Sequence, residues 1–325
     1  MSATSWGQLD KAVVQSWTLL TDAVEDTENC AFNRLPSPAT SKLQEPDYVA
    51  ALVVHGTPIL QNKWNAILSP QGVSVQAAGV YCHQKPIIQE NCPSPPRGCE
   101  VGDLLIVHIH TPLSGDRLLN ALLLQAKLSS LGYPYLIGQN DPQIRLYSMW
   151  PEFKYVRGGP PGGGVRRVTP ATRHSGGQYL FIDSSAIPLG SGPALSDPCS
   201  VAMPSTEMYP YATLSAALTG MLQNHFGRPF DDKISLQPND VGWSRFIWDL
   251  IDCLATAHFN RRGVGFVNEP RAPVPLASVI SGDAGALRTA FGEDWTPPEE
   301  PPTEGDEDAI GVSTLIVSTH TTREE

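Results

Sequence analysis

Asp103, Gln125 and Lys127 supply a carboxylate, an amide and an amine from two adjoining apolar segments. Such a set can hold a hard divalent cation and place a positive charge beside a phosphate. Magnesium takes oxygen ligands and keeps several waters, so one carboxylate with an amide or backbone carbonyl is a sufficient protein share. The cation neutralises charge on a transferring phosphoryl group and orients a water, and an ammonium adds a compact point charge. The plainer reading of the same residues is a strand cap at Asp103 and a solvated strand end at Lys127.

The segments that must position these groups are Leu104 to Ile109 and Ala121 to Leu124, which read as buried strands. Between them Thr111-Pro112-Leu113-Ser114-Gly115-Asp116 has turn chemistry, a proline fixing φ and a glycine free to take positive φ. A hairpin centred near Gly115 sets Asp103 opposite Lys127, and Gln125 and Lys127, two apart, share a strand face.

Asp103 with Gln125-Ala126-Lys127 resembles the core of the PD-(D/E)XK, or restriction-endonuclease-like, nuclease superfamily in its QxK (Mrr-like) variant. The resemblance covers about thirty residues, and its pattern is short. It implies an α/β fold: a restriction-endonuclease-like mixed central sheet flanked by helices, here with a C-terminal helical region. It implies a Mg²⁺- or Mn²⁺-dependent DNA endonuclease, with bacterial restriction or phage defence as the setting by analogy. Asp103 would be the anchoring metal ligand, joined by the Gln125 side-chain oxygen and the Ala126 carbonyl. Lys127 would polarise the water or stabilise developing charge. The superfamily adds an acid from its first core helix, for which Glu45, just before Pro46, is the candidate. A plain charge meeting the helix dipole explains Glu45 as well. Glu100, three residues before Asp103, is either a carboxylate linked to the metal or a solvated loop charge.

A chain of 325 residues with 41% hydrophobic and 17% charged residues has the composition of a soluble globular protein. No apolar run approaches the roughly 20 residues of a membrane span. The first residues lack a basic flank and an apolar core, and six irregularly spaced cysteines do not form a disulfide framework, so a cytoplasmic setting is expected. Net charge is −11, but residues 293–325 hold ten acids and one base, leaving −2 for the rest. Nucleic-acid binding needs local basic surface; Lys154, Arg157, Arg166, Arg167 and Arg173 around a glycine-rich loop are candidates, Arg157, Arg166 and Arg167 foremost.

The expected organisation is a nuclease-like core with N-terminal helices over 1–175 and a mostly helical region over 176–292. An acidic, proline-rich linker over 293–310 and a terminal strand and tail over 311–325 follow. Helices are expected near 10–25, 46–68, 143–150 (stopped by Pro151), 212–226 and 241–259. The last carries a Trp243, Phe246, Ile247, Leu250, Ile251, Leu254 stripe, with Asp249 and Asp252 on its solvent face. Strands are expected at 73–81 and 178–183, and the terminal strand, 311–318, suits a sheet edge. Gln139 and Tyr147 could face the cleft, with core packing the alternative for Tyr147 and Trp150.

Rival chemistry is weaker. The glycine run 158–164 lacks the lysine and hydroxyl of a P-loop. Cys82, His83, Cys92 and Cys99 lack the paired CxxC spacing of zinc sites. His108 and His110 share a strand face but lie on the order of 15 Å from Asp103. No Gly-x-Ser-x-Gly elbow is present. The second functional reading is a catalytically inactive nuclease-fold protein acting as an interaction module. Because cutting both strands of a duplex needs two sites, a homodimer, or a partner protein held through the C-terminal region, fits the nuclease reading.

Overall fold

The computed structural model describes residues 7–36, 43–82, 86–94, 97–129, 134–160, 164–169, 176–185, 197–237, 239–254 and 311–322. The helices are α1 (Gly7–Phe32), α2 (Glu45–Ala51), α3 (Thr57–Leu68), α4 (Pro142–Met149), α5 (Leu214–Met221) and α6 (Trp243–Leu254). The strands are β1 (Val73–Val80), β2 (Ile87–Glu90), β3 (Cys99–Glu100), β4 (Leu104–Thr111), β5 (Leu118–Leu128), β6 (Tyr135–Leu136) and β7 (Phe153–Arg157). They continue as β8 (Val165–Arg166), β9 (Gly177–Ile182), β10 (Cys199–Ala202), β11 (Glu207–Met208), β12 (Pro210–Thr213), β13 (Arg228–Phe230) and β14 (Ser313–Thr321).

The main sheet is mixed, in the order β1-β14-β4-β5-β9-β10-β12, with β13 beside the first half of β5. Its central strands are apolar on both faces, as strands covered on both sides must be. Alternate β4 residues serve opposite cores. Leu104 and Ile106 pack under α1, α2, α3 and α5, while Leu105 and Val107 pack with α4, α6 and the small sheet. That second sheet has the order β3-β2-β7-β8.

The β4–β5 hairpin forms, with Gly115 in its turn at φ +85°. Its register differs from the expected one by two residues. Leu104 pairs with Leu124, and the Asp103 amide donates to the Leu124 carbonyl at 2.9 Å, so Asp103 stands level with Gln125, not Lys127. The connection is longer than a tight turn centred on Gly115 allows, because the last β4–β5 pair is His110 with Leu118 and residues 112–117 form the loop.

Three further expectations are corrected. The described residues between 176 and 254 are not mostly helical: β9, β10 and β12 extend the main sheet, and among them only α5 and α6 are helices of eight residues or more. The terminal strand does not sit at an edge. β14 lies between β1, antiparallel, and β4, parallel, pairing Ser313 with Leu104 and Thr321 with Val73. Ser-Thr-Leu-Ile-Val-Ser-Thr carries no charge, whereas exposed edge strands are usually guarded by one. The true edge, β1, is stoppered from the side: Asn65 Oδ1 accepts the Val75 amide at 2.9 Å, and Gln61 Oε1 the Ala77 amide at 2.7 Å.

Asp249, expected in solvent, is buried at 2% exposure. It follows Phe246 by three residues and so borders the apolar stripe. There it accepts Arg166 Nε at 2.5 Å, Arg245 Nε at 3.2 Å and the Tyr155 hydroxyl at 3.2 Å. Asp252 is half-exposed and meets Lys233. The acidic linker 293–310 lies outside the described residues, and no described helix is long and apolar enough to cross a membrane.

Candidate active site

The site lies where β4 begins and β5 ends. Gly102 delivers the chain to it: a Cβ there would stand 2.6 Å from the Tyr147 hydroxyl and 2.8 Å from a Leu123 methyl, so only glycine fits. One residue on, the Asp103 carboxylate takes two donors on Oδ2, the Gln125 amide nitrogen and the Ala126 backbone N–H at 2.8 Å. Oδ1 accepts no hydrogen bond among the described residues. In a strand the N–H and C=O of one residue point to the same side, so the Ala126 carbonyl opens toward the space beyond the start of β4.

Gln125 and Lys127 project from the same face of β5. Gln143, in the first turn of α4, joins them: its amide nitrogen donates to Gln125 Oε1 at 2.7 Å, and its Oε1 accepts Lys127 Nζ at 3.4 Å. Asp141 caps that helix, accepting the Gln143 and Ile144 amides at 2.8 and 3.2 Å, with Pro142 following. Gln143 is the functional candidate that the residue pattern did not single out. Its signal was present, since Asp-Pro marks a helix start and so places Gln143 on the first turn beside the end of β5.

Glu45 is the first residue of α2, and its carboxylate approaches the Leu128 amide at 3.5 Å. It therefore stands at the far end of the same β5 segment. Glu100, on β3, is close enough for its charge to act on Asp103 and Lys127. Burial pushes the Asp103 carboxyl up to about 7; Glu100 adds to the rise, the Ala126 amide and Lys127 oppose it, and Glu45 adds further. Burial likewise raises the Glu100 carboxyl, against Lys127.

A hard cation takes oxygen ligands. Asp103 Oδ1 and the Ala126 carbonyl are oxygen atoms at the start of β4 and the end of β5, and the charges of Glu100 and Glu45 act on Asp103. Among the described residues no three His, Cys, Asp or Glu side chains are clustered as metal ligands, so this is not a closed cage. Gln125 presents its nitrogen to Asp103 and its oxygen to Gln143; turning the amide over exchanges the two.

The other candidates separate. Arg166 is 6% exposed, bound to Asp249 and set 5.8 Å from the Tyr155 ring, so it cannot reach nucleic acid. Its neighbour Arg167 points the other way, as successive strand residues do, and pairs with Glu152. Arg157 is exposed, and Arg173 and His83 lie outside the described residues. Tyr147 is fully buried, donating to the Val101 carbonyl at 2.7 Å; Trp150 is buried too, and Gln139 is exposed. His108 and His110 are buried and share Thr319 Oγ1 at 2.9 and 3.0 Å. Burial holds their rings at about 3 and about 4, so both are neutral core groups.

No protein-family model matches the chain, and neither does any curated protein or solved structure.

Proposed function

We propose that this chain is a metal-dependent phosphodiester hydrolase that cuts DNA, built on the restriction-endonuclease-like pattern in its QxK form. One observation carries the reading: Asp103, Gln125, Ala126 and Lys127 meet at one end of the β4–β5 hairpin, with Glu45 at the same strand end. The surrounding order supports it. A helix bearing an acid (α2) precedes β1, then the β4–β5 hairpin, a flanking helix (α4), and a strand (β9) parallel to β5.

In this reading Asp103 and the Ala126 carbonyl hold a Mg²⁺ or Mn²⁺ ion, with Glu45 completing the set, directly or through a water. The ion would supply charge neutralisation and an acidified water. Lys127 sets its ammonium where negative charge develops, and Gln143 fixes both that ammonium and the Gln125 amide. Burial, with the charge of Glu100 next, raises the Asp103 carboxyl, and a cation bound there would favour its ionised form.

The test is nicking of supercoiled plasmid with Mg²⁺ or Mn²⁺. Cleavage lost in Asp103→Ala and Lys127→Ala, both still folded by circular dichroism, supports the reading. Failure of the unaltered chain to cut DNA or RNA with any divalent ion would refute it. The absence of a three-ligand cluster among the described residues favours a second reading, an inactive interaction module. That reading requires no divalent ion to bind at Asp103, which isothermal titration of the chain and of Asp103→Ala decides.

A further inference from the structure

The small sheet β3-β2-β7-β8 covers one flank of the site and has one face in the core and one in solvent. Ile88, Phe153 and Arg166 are buried on the inner face. A bulge between Ile87 and Ile88 inserts Val156 into β7 and brings Arg157 level with Ile87, which is paired on its other side with Glu100. Glu100, Ile87 and Arg157 thus form one row on the solvent face, and Gln89, Lys154 and Val165 form the next. Arg97 adjoins them: Gly98 beside it packs so closely that a Cβ would lie 3.1 Å from an Ile87 methyl and 3.6 Å from a Val156 methyl.

Arg97, Lys154 and Arg157 are all exposed, and none makes an ion pair or side-chain hydrogen bond with another described residue. Glu90 is held by Arg145 at 2.8 Å and Glu152 by Arg167 and Asn91, so neither neutralises the three cations. Exposed Val156 lies among the three cations, at 48% exposure. The row ends at Glu100, whose charge is felt by Asp103 and Lys127. Two strand spacings separate Arg157 from Glu100, on the order of 10 Å, the rise of about three base steps in duplex DNA.

We infer that this solvent face docks the phosphate backbone of duplex DNA through Arg97, Lys154 and Arg157 and leads it past Glu100 to Asp103. The surface rests on the hydrolase reading for its purpose and on charge complementarity for its ligand. It accounts for DNA recruitment by an acidic chain: the contact needs one local cationic shelf, not a basic total. Val156 sits where a sugar edge would lie between phosphate contacts.

The experiment is fluorescence anisotropy of a labelled DNA duplex with the full chain in EDTA, where no cleavage can occur. The variants are Arg97→Glu/Lys154→Glu/Arg157→Glu and, on the helical layer of the opposite face, Arg34→Glu/Lys63→Glu. The triple variant is expected to lose at least about tenfold in affinity, and its salt slope to fall by about 0.9 for each phosphate it no longer neutralises. The control pair should bind like the unaltered chain. Equal loss in both variants, an unchanged triple variant, or no duplex binding by the unaltered chain would each overturn the docking surface. Binding without metal-dependent cleavage would sink the hydrolase reading and leave the shelf standing; cleavage undiminished in the triple variant would do the reverse.

Discussion

The Ala126 amide donates to Asp103 Oδ2 at 2.8 Å, which ties the candidate metal ligand to the backbone of the strand that carries Lys127. The geometry of the site is therefore set by the register of one hairpin. Asp103→Asn keeps the shape and a hydrogen-bonding side chain but removes the charge. It should abolish metal-dependent cleavage. Burial raises the Asp103 carboxyl, so its ionisation costs stability as pH rises from the ordinary carboxylate range through about 7. The asparagine variant should therefore melt higher than the parent at pH 8 in EDTA and no higher at pH 4. Calorimetry at the two pH values checks this.

Gln143 links the Gln125 amide to the Lys127 ammonium without reaching Asp103. Gln143→Leu should leave the fold intact and slow cleavage by about 10–100-fold, the usual effect of removing a partner that orients a ligand. Gln143→Glu, which can still accept from Lys127, should retain more activity than the leucine variant. A plasmid-nicking time course with both variants measures the difference.

Asp249 holds Arg166 and Arg245 between the small sheet and α6 while almost wholly buried. Removing it leaves the Arg166 guanidinium buried without its partner. Asp249→Ala should cost about 3–5 kcal/mol, the range for breaking one side of a buried ion pair. Urea denaturation gives that number directly. Replacing Asp252, half-exposed beside Lys233, should change stability by less than about 1 kcal/mol.

Glu28 is 1% exposed on the opposite face of the main sheet, beside Asp197 and Cys199, and neither of its oxygens has a hydrogen bond of good geometry. Burial, with Asp197 next, raises its carboxyl well above the ordinary value. For a raised acid the stabilising proton is fully held at low pH and is lost as pH climbs through the folded-state value. The parent should thus lose stability on going from pH 5 to pH 9, and Glu28→Gln should flatten that slope. Equal slopes would show that Glu28 is already ionised in the native protein.

β14 pairs along its whole length with β1 and β4. Deleting residues 311–322 removes a central strand buried from Ser313 to Thr319, so the remaining chain should fail to give cooperative unfolding. A loss confined to activity, with the melt preserved, would mean that β1 and β4 can close directly.

The placement of the candidate residues was more legible in the sequence than the architecture around them. Apolar runs at Leu104 and Ala121 marked the hairpin, because strands buried on both faces have little choice of residue. The side on which Asp103, Gln125 and Lys127 emerge followed from strand alternation. Their register did not, since it depends on how long the loop after His110 becomes. The place of Glu45 at the head of α2 was legible from Pro46, which fixes a helix start. Gln143 was overlooked although Asp141-Pro142 signalled the helix it begins. The place of β14 was hidden for a different reason: pairing with strands so far back in the chain leaves no local trace. Arg166 misled because two adjacent arginines look alike in a sequence, whereas strand alternation puts one in the core and one in solvent.

Gln61 and Asn65 occupy the outward amides of Val75 and Ala77, and this limits how two molecules could cooperate. A second copy cannot lengthen the sheet along β1 without first displacing those side chains. A continuous two-molecule sheet through that margin is thus disfavoured, and any pairing that severs both strands of a duplex must use other contacts or proceed as two separate nicks.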